Sequence, residues 1–165
     1  MNDSIFNYIG SYLHDGIQHR ELNNIPETLK IVIGNIDLNT SEKQVTIMYN
    51  IDLLNNDEMV SHYSFFSLFH IEDETFTNSF LNTLHSEQKV FDELCSNVLI
   101  AMIRFSFPFI RQMVQSMTND IAGAILLPLI DASVLLQQGL EFKREIAQRE
   151  STTEIAKPVR KKRQK

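Results

Sequence analysis

The spacing of apolar residues changes once along this chain, near residue 86, and this change limits the possible folds more than any other feature. Residues 44–53 alternate between apolar and polar side chains, a period of two that is typical of a half-buried antiparallel strand. From Val90 to Ile103 the apolar residues recur every three to four positions, which predicts a helix. Strands followed by helices indicate an α+β domain, with helices packed on one face of an antiparallel sheet.

Further segments before the change also have strand patterns. The apolar residues of segment 29–38 change phase at Gly34, and a glycine at such a point predicts a bulge. Residues 59–71 are rich in aromatic side chains and predict another strand, and residues 4–18 predict a fourth with a weaker pattern. The pattern indicates a meander of three or four antiparallel strands. Two connecting segments have the length and the Asn and Asp content of hairpin turns, residues 39–43 and 54–58.

The second half predicts helices and one apolar loop. Ser86 can cap the first helix, and Pro108 should break or restart it, because proline lacks the amide N–H that a helix needs. Residues 119–129 are apolar but contain a glycine and a proline, so they predict a loop lying on an apolar surface. Asp131 can cap a last helix over residues 132–145.

Charge divides the chain into an acidic body and a basic tail. Residues 1–140 have a net charge of −11, whereas residues 141–165 have a net charge of +5. We therefore expect one domain over 1–140, followed by a helix extension and a basic tail with too little apolar surface to fold. The acidic body argues against nucleic-acid binding. No secretory signal and no run of 18 apolar residues is visible, so we expect a cytoplasmic protein without a membrane span.

No motif for catalysis, a metal or a cofactor is visible in the sequence. His62 and His70 share one face of a strand, but two ligands are fewer than zinc needs. Cys95 lies on the apolar side of a helical pattern and is expected to be a buried structural thiol. These patterns predict a protein that is not an enzyme.

The sequence has more large apolar residues than one small core is expected to hold. Phe65 and Phe66 are adjacent on a strand, so one of them must point away from the core. Residues 121–130 contain six large aliphatic residues within a broken loop. Surplus apolar surface usually marks a binding groove or an oligomer interface.

Four segments resemble the SecB family of export chaperones. Residues 107–117 (FPFIRQMVQSM) and 127–138 (LPLIDASVLLQQ) are similar to that family's FPYAR…SMV and APVNFDALF…YLQQ segments. Residues 12–15 resemble its YxxD strand, and residues 69–71 resemble the FSI at the end of its last strand. The resemblance covers roughly residues 5–140.

The resemblance implies an ATP-independent holdase that keeps unfolded polypeptides or preproteins competent for translocation or assembly. It implies a sheet of four antiparallel strands with the helices on one face, and a homotetramer in which two dimers sandwich their long helices. The oligomer helix would then use Phe107, Ile110, Met113, Val114 and Met117. The client groove, between the sheet and the last helix with its loop, would be lined by Ile31, Ile33, Ile121, Ile125, Leu127, Val134 and Leu135.

The chain also departs from the family pattern. Asp15 matches one acid through which the family docks the SecA motor, but His62 falls where another acid is usual. Phe66 and Ser67 replace a Gly-Gly pair, and the tail is basic where the family tends to be polar or acidic. These departures favour an alternative client, because some SecB-like proteins serve as dedicated chaperones of an antitoxin in a toxin–antitoxin system.

Overall fold

A computed structural model describes residues 5–18, 28–56, 58–85, 91–118 and 125–139 of the chain. The first half forms four strands, which are β1 (Phe6–Gln18), β2 (Thr28–Asn39), β3 (Gln44–Asn55) and β4 (Glu58–Ile71). They make one antiparallel sheet in the order β1-β4-β3-β2. The predicted α+β class with a four-stranded antiparallel sheet is confirmed. The simple meander holds only for β2, β3 and β4, because β1 pairs with β4.

Bulges and turns lie where the sequence predicted them. The pairing of β2 with β3 shifts register between Ile33 and Asn35, so Gly34 is at the predicted bulge. The Asn39 side-chain oxygen accepts the amide N–H of Ser41 at 3.1 Å and closes the first turn. Asn56 in the second turn has a φ of 50°. Asn tolerates this left-handed conformation better than most residues.

A helix that the sequence analysis missed follows β4 directly. Helix α1 spans Glu74–His85. Asp73 caps it by accepting the Phe76 amide N–H at 2.7 Å. Phe76 and Phe80, four residues apart on one side of α1, are fully buried in the core. Two phenylalanines four positions apart, directly after a capping residue, were the sequence signal from which this helix could have been predicted.

Helix α2 spans Glu93–Thr118, and the predicted break at Pro108 is wrong. Asp92 caps the helix by accepting the Cys95 amide N–H at 2.8 Å, whereas the predicted cap Ser86 lies outside the described residues. Pro108 and Arg104 are both exposed, so the carbonyl that loses its helical partner lies on the solvent side. The opposite side stays packed on the sheet, which keeps the helix continuous through the proline.

By length and composition α2 could also span a membrane. The sequence analysis predicted no span because the chain has no run of 18 apolar residues. A helix can lack such a run and still be apolar on average, as α2 is. In the folded chain one side of α2 is buried against the sheet, as in the core helix of a folded domain. The buried positions are Cys95, Val98, Leu99, Met102, Ile103, Ser106, Phe107, Ile110, Val114 and Thr118.

A third helix, α3, covers residues 132–139, and Asp131 caps it as predicted by accepting the Ser133 amide N–H at 2.8 Å. The predicted continuation toward residue 145 and the basic tail lie outside the described residues. The pKa of Asp131 is held below its ordinary value, first by hydrogen bonds from Ser133 and then by the nearby charge of Arg104. The start of α3 is therefore close to the middle of α2.

The helices cover one face of the sheet, and the core lies between. The Tyr49 hydroxyl on β3 is 2.8 Å from the Ser106 hydroxyl on α2, and burial raises the pKa of Tyr49 well above its ordinary value. At the far end of α3, a Cβ built on Gly139 would lie 2.8 Å from the Ile33 Cβ on β2. Helix α2 thus crosses the sheet centre, while the end of α3 rests directly on the β2 edge strand.

Candidate client-binding and assembly surfaces

The loop before α3 presents large apolar side chains to solvent. Leu126 is 61% exposed, Leu129 is 86% exposed, and Val134 on the first turn of α3 is 47% exposed. We call these three residues the apolar row. Exposed aliphatic side chains on neighbouring parts of the chain are what a site for apolar polypeptide needs.

Two hydrogen bonds from α2 hold the described part of this loop. The Thr118 hydroxyl oxygen accepts the Ile125 amide N–H at 2.9 Å. The Arg111 side chain donates from Nε to the carbonyl oxygen of Leu127. Both α2 residues are on the side that faces the loop, so the position of the apolar row is set by the C-terminal half of α2.

Most of the described residues that the resemblance implied for a groove between the sheet and α3 are buried. Ile31, Ile33, Leu127 and Leu135 are all less than 9% exposed and belong to the core of the single chain. Ile125 is half-buried against that core, and Val134 is exposed. Ile121 lies outside the described residues. The close contact of Gly139 with Ile33 places the end of α3 directly against β2.

The predicted oligomer residues are mostly on the inner side of α2. Phe107, Ile110 and Val114 are buried in the subunit core, and Met113 and Met117 are partly buried against it. They pack on the sheet because they continue the inward-facing series that begins at Cys95. Phe107, Ile110 and Val114 are therefore committed to the core of the single chain, whereas Met113 and Met117 keep part of their surface exposed.

The outer side of α2 has its own apolar stripe, which the sequence analysis did not identify. Leu94, Ala101, Phe105 and Phe109 are exposed along it at helical spacing. Phe105 and Phe109 each approach the ring of Tyr8 on β1, with ring centroids 5.1 Å apart. A depression of about 570 Å³ lies on this side, lined by Asn97, Ile100, Ala101, Arg104 and Phe105.

The second face of the sheet is not covered by any described helix. Phe65 is buried, whereas Phe66 points to the open face and is half-buried there. The Phe66 ring packs against Tyr12 and His14 of β1, with centroid distances of 5.8 and 5.5 Å. The sequence prediction that one of the two phenylalanines faces away from the core is consistent with this arrangement.

A chain of polar side chains crosses the open face beside Phe66. His62 Nδ1 is 2.5 Å from Asp52 Oδ1, and its Nε2 is 2.9 Å from the Ser64 hydroxyl. Ser64 in turn donates to Asn50 Oδ1 at 2.8 Å. The imidazole of His62 thus bridges Asp52 of β3 and Ser64 of its own strand.

The order Asp–His–Ser also occurs in hydrolases, but the geometry here does not make a nucleophile. A catalytic serine gives its proton to the histidine. Ser64 instead donates to Asn50, is almost fully buried, and lies within a strand whose neighbours are paired on both sides. These four side chains are better described as a row of hydrogen-bonded polar groups on the open face of the sheet.

Asp15, the predicted SecA-docking residue, is exposed on β1 opposite Ser64 in the register. Its Oδ1 accepts the Gly16 amide N–H at 2.8 Å. The structure therefore brings Asp15 to the same part of the sheet as the Asp52–His62 pair.

The remaining candidate groups do not form a reactive site. Burial, and secondarily the charge of Asp92, raises the pKa of Cys95 to about 12, so its thiol stays protonated and unreactive near neutral pH. Among the described residues, no three His, Cys, Asp or Glu side chains are arranged to hold a metal ion.

Two buried hydroxyl groups on β4 stand apart from this pattern. Ser61 and Tyr63 lie on the helix-covered side of the sheet, are almost fully buried, and have no hydrogen-bond partner in the described structure. Leaving such a group unpaired costs about 1–3 kcal/mol. Sequence reasoning gave no signal for them, because a tyrosine and a serine in a strand are ordinary residues.

Comparisons with known proteins give distant structural likenesses. A SecB-like chaperone from Mycobacterium tuberculosis, Rv1957, solved in complex with a ChAD peptide from the Rv1956 HigA1 antitoxin, is similar to this chain with a TM-score of 0.48 and 13% sequence identity. The likeness covers 76% of this chain and 87% of that one. A protein of unknown function from Streptococcus agalactiae has a TM-score of 0.34 and 11% identity, covering 75% and 97% of the two chains.

No protein-family model matches the chain, and no curated protein matches it. The functional proposals for this chain therefore rest on its own geometry and on the segments that resemble the SecB family.

Proposed function

We propose that this protein is an ATP-independent holdase that binds unfolded polypeptides or preproteins in the cytoplasm. The observation that carries the proposal is the apolar row of Leu126, Leu129 and Val134, exposed beside a well-packed core. The segments that resemble the SecB family include all three of these positions or border them directly. A client would bury the apolar row without requiring any chemical step or cofactor.

The free energies of binding and of side-chain burial favour a client that binds several copies of the apolar row. Micromolar affinity needs about 8 kcal/mol. Three apolar side chains supply roughly 1.5–3 kcal/mol each when fully buried, and ordering an extended client costs several kcal/mol. One subunit is therefore a weak binder, and an assembly that presents several rows to one client would gain affinity by avidity.

The same reasoning motivates a homotetramer built as a dimer of dimers. The outer stripe of α2, with Leu94, Ala101, Phe105 and Phe109, offers the surface for contact with a second copy of this chain. The adjacent depression can receive an aromatic ring from that copy, and Phe105 at its rim is the ring best placed to be exchanged. This stripe replaces the inward-facing residues that the resemblance first indicated for assembly.

A second candidate function differs only in the client. A dedicated antitoxin chaperone is favoured by the Asp52–His62 pair, because the imidazole contacts an acid on the face where the SecB family docks SecA. Asp15 is then left as the exposed acid of that area. The antitoxin peptide with which a SecB-like chaperone was solved is a suitable probe for this alternative.

The holdase proposal is tested by diluting a denatured client into buffer without ATP and following its aggregation by light scattering. Wild-type protein should suppress the scattering, and a variant with Leu126, Leu129 and Val134 all changed to Ser should need at least about tenfold more protein for the same effect. Ile9→Ser is the matched control, since Ile9 is similarly exposed at 48% but lies on the opposite edge strand. Equal suppression by the triple variant would contradict the proposal.

The two clients are distinguished by direct binding. Purified SecA and an antitoxin with its client segment can each be titrated against the labelled protein. Export predicts SecA binding that Asp15→Asn weakens, whereas the antitoxin role predicts tight antitoxin binding that is insensitive to this change.

A further inference from the structure

The open face of the sheet has a group of aromatic side chains that the core does not use. Phe66 of β4 packs against Tyr12 and His14 of β1, with ring centroid distances of 5.8 and 5.5 Å. Tyr12 is 47% exposed, His14 is exposed, and Phe66 is half-buried. We call these three residues the aromatic platform. Accessible aromatic rings attract cationic side chains, which lie over the face of the ring.

The surroundings of the aromatic platform are acidic. Asp15 is exposed in the next row of this face, opposite Ser64, and Asp37 is exposed on the same face of β2. The four strands contain a single basic residue, Lys30, and residues 1–140 together have a net charge of −11. The open face therefore favours a partner that combines several positive charges with no acid.

A segment with this complementary charge is present in the same chain. Residues 157–165 contain six Lys or Arg residues and no Asp or Glu. The described part of the chain ends at Gly139, which lies against Ile33 of β2. Through the pairing of the strands, Ile33 belongs to the transverse row that ends at Leu13, directly beside Tyr12. The chain thus leaves α3 level with the aromatic platform, at the opposite edge of the sheet.

The connecting residues are long enough to bring the basic segment to the platform. The distance across the sheet from β2 to β1 is three strand spacings, about 14 Å, and passing around the β2 edge adds on the order of 10 Å, the distance between packed layers. The 18 residues from Gly139 to Lys157 span about 27 Å at the rise of a helix and about 60 Å when extended. Either conformation allows the same chain to reach the open face.

We propose that the basic segment 157–163 docks on the aromatic platform of its own chain. Its Lys and Arg side chains lie over the rings of Tyr12 and Phe66, and one of them pairs with Asp15. This docking goes beyond the proposed holdase function and does not depend on it, because the platform is on the face of the sheet away from the helices. The docked segment competes with any partner that approaches this face through basic groups.

The test places a fluorescent reporter on the platform of the full-length chain. The chain contains no tryptophan, so Tyr12→Trp introduces a single one and keeps an aromatic ring at that position. Gln164→Cys, just beyond the docking segment, carries a nitroxide label that quenches tryptophan fluorescence only at close range. Cys95 is buried and its pKa is raised to about 12, so the label does not attach there.

Met59→Trp in the same labelled chain is the matched control. Met59 is 49% exposed, close to the value for Tyr12, but it lies at the start of β4, seven residues before Phe66. We expect the nitroxide to remove most of the fluorescence of Tyr12→Trp and little of that of Met59→Trp. In 1 M salt, where the screening length is only about 3 Å, this difference should disappear.

The charges on both sides of the contact are then removed separately. Changing residues 160–163 (RKKR) all to Ser, or changing Asp15 to Asn, should restore the fluorescence of Tyr12→Trp toward that of the unlabelled protein. Thermal unfolding of each variant shows that it is folded. If Tyr12→Trp does not fold, His14→Trp is a second reporter on the same platform.

Three results would overturn the proposal. One is equal quenching of the platform reporter and Met59→Trp at low salt, because the segment then does not select the platform. Another is quenching that persists after residues 160–163 are changed to Ser. The third is loss of quenching when the reporter chain is co-refolded with an excess of wild-type chain, because the segment on the platform then belongs to a second copy.

Discussion

The outer stripe of α2 allows a quantitative prediction for assembly. Phe105 and Phe109 are 49% and 43% exposed, and a phenylalanine can bury about 150–250 Å² in total. Each ring therefore has roughly 70–120 Å² left to bury against a second copy, worth about 2–3 kcal/mol at about 25 cal/mol per Å². In a two-fold interface each ring counts twice, so losing one ring from both copies removes about 4–6 kcal/mol. The dissociation constant should rise by about a thousandfold or more for Phe105→Ser.

Sedimentation equilibrium measures this directly, with wild-type protein expected to be an oligomer at micromolar concentration and Phe105→Ser a smaller species. Met59→Ser is the control, because Met59 is also 49% exposed but lies on β4 away from α2. Thermal unfolding should show that the monomer fold survives, since the Phe105 ring is half-exposed and lies outside the buried core. A wild-type monomer at these concentrations, or an unchanged dissociation constant in Phe105→Ser, would refute the assignment of this stripe to a second copy.

Three further predictions concern packing, the thiol and acid stability. Gly139→Ala should destabilise the fold by about 1–3 kcal/mol in chemical denaturation, because its Cβ would meet the Ile33 Cβ at 2.8 Å; a stability equal to wild type would contradict this packing. Cys95, with its pKa raised to about 12, should react with a thiol reagent at pH 8 only as fast as the protein unfolds, and faster reaction would show that it is accessible. Asp92 has a pKa lowered chiefly by the Ser79 hydroxyl, so its charge stabilises the fold above about pH 4 and this contribution is lost as the pH falls through the lowered value. Asp92→Asn should therefore melt below wild type at pH 7, with a difference that narrows below about pH 4; a constant difference would contradict the charge effect.

The sheet was largely predictable because its signals are local. Alternation in residues 44–53 fixes which side chains of β3 face the core, and the phase change at Gly34 marks the bulge. Strand order was not predictable in the same way. The pairing of β1 with β4 depends on the path of a connection, and no residue pattern within either strand specifies its partner.

In the helical half, packing against the sheet overrode the structure that local sequence patterns predicted. Pro108 was predicted to end a helix, but ten buried positions along α2 keep it continuous across the proline. The same helix carries the predicted oligomer residues mostly on its inner side, because an apolar stripe in a sequence does not say whether it faces its own sheet or another subunit. Only the structure separates the inner series around Phe107 from the outer series around Phe105.

Helix α2 links the proposed assembly to the proposed client site. Its inner side is anchored to the sheet, its outer stripe is free for a second copy, and Arg111 and Thr118 near its end hold the loop of the apolar row. Two hydrogen bonds are a small constraint compared with the buried side chains that fix α2. Leu127 of the loop is nevertheless buried in the core, so the loop and α2 are held together. An assembly that fixes α2 would therefore also fix the distance between neighbouring rows, and avidity would depend on this rigid spacing.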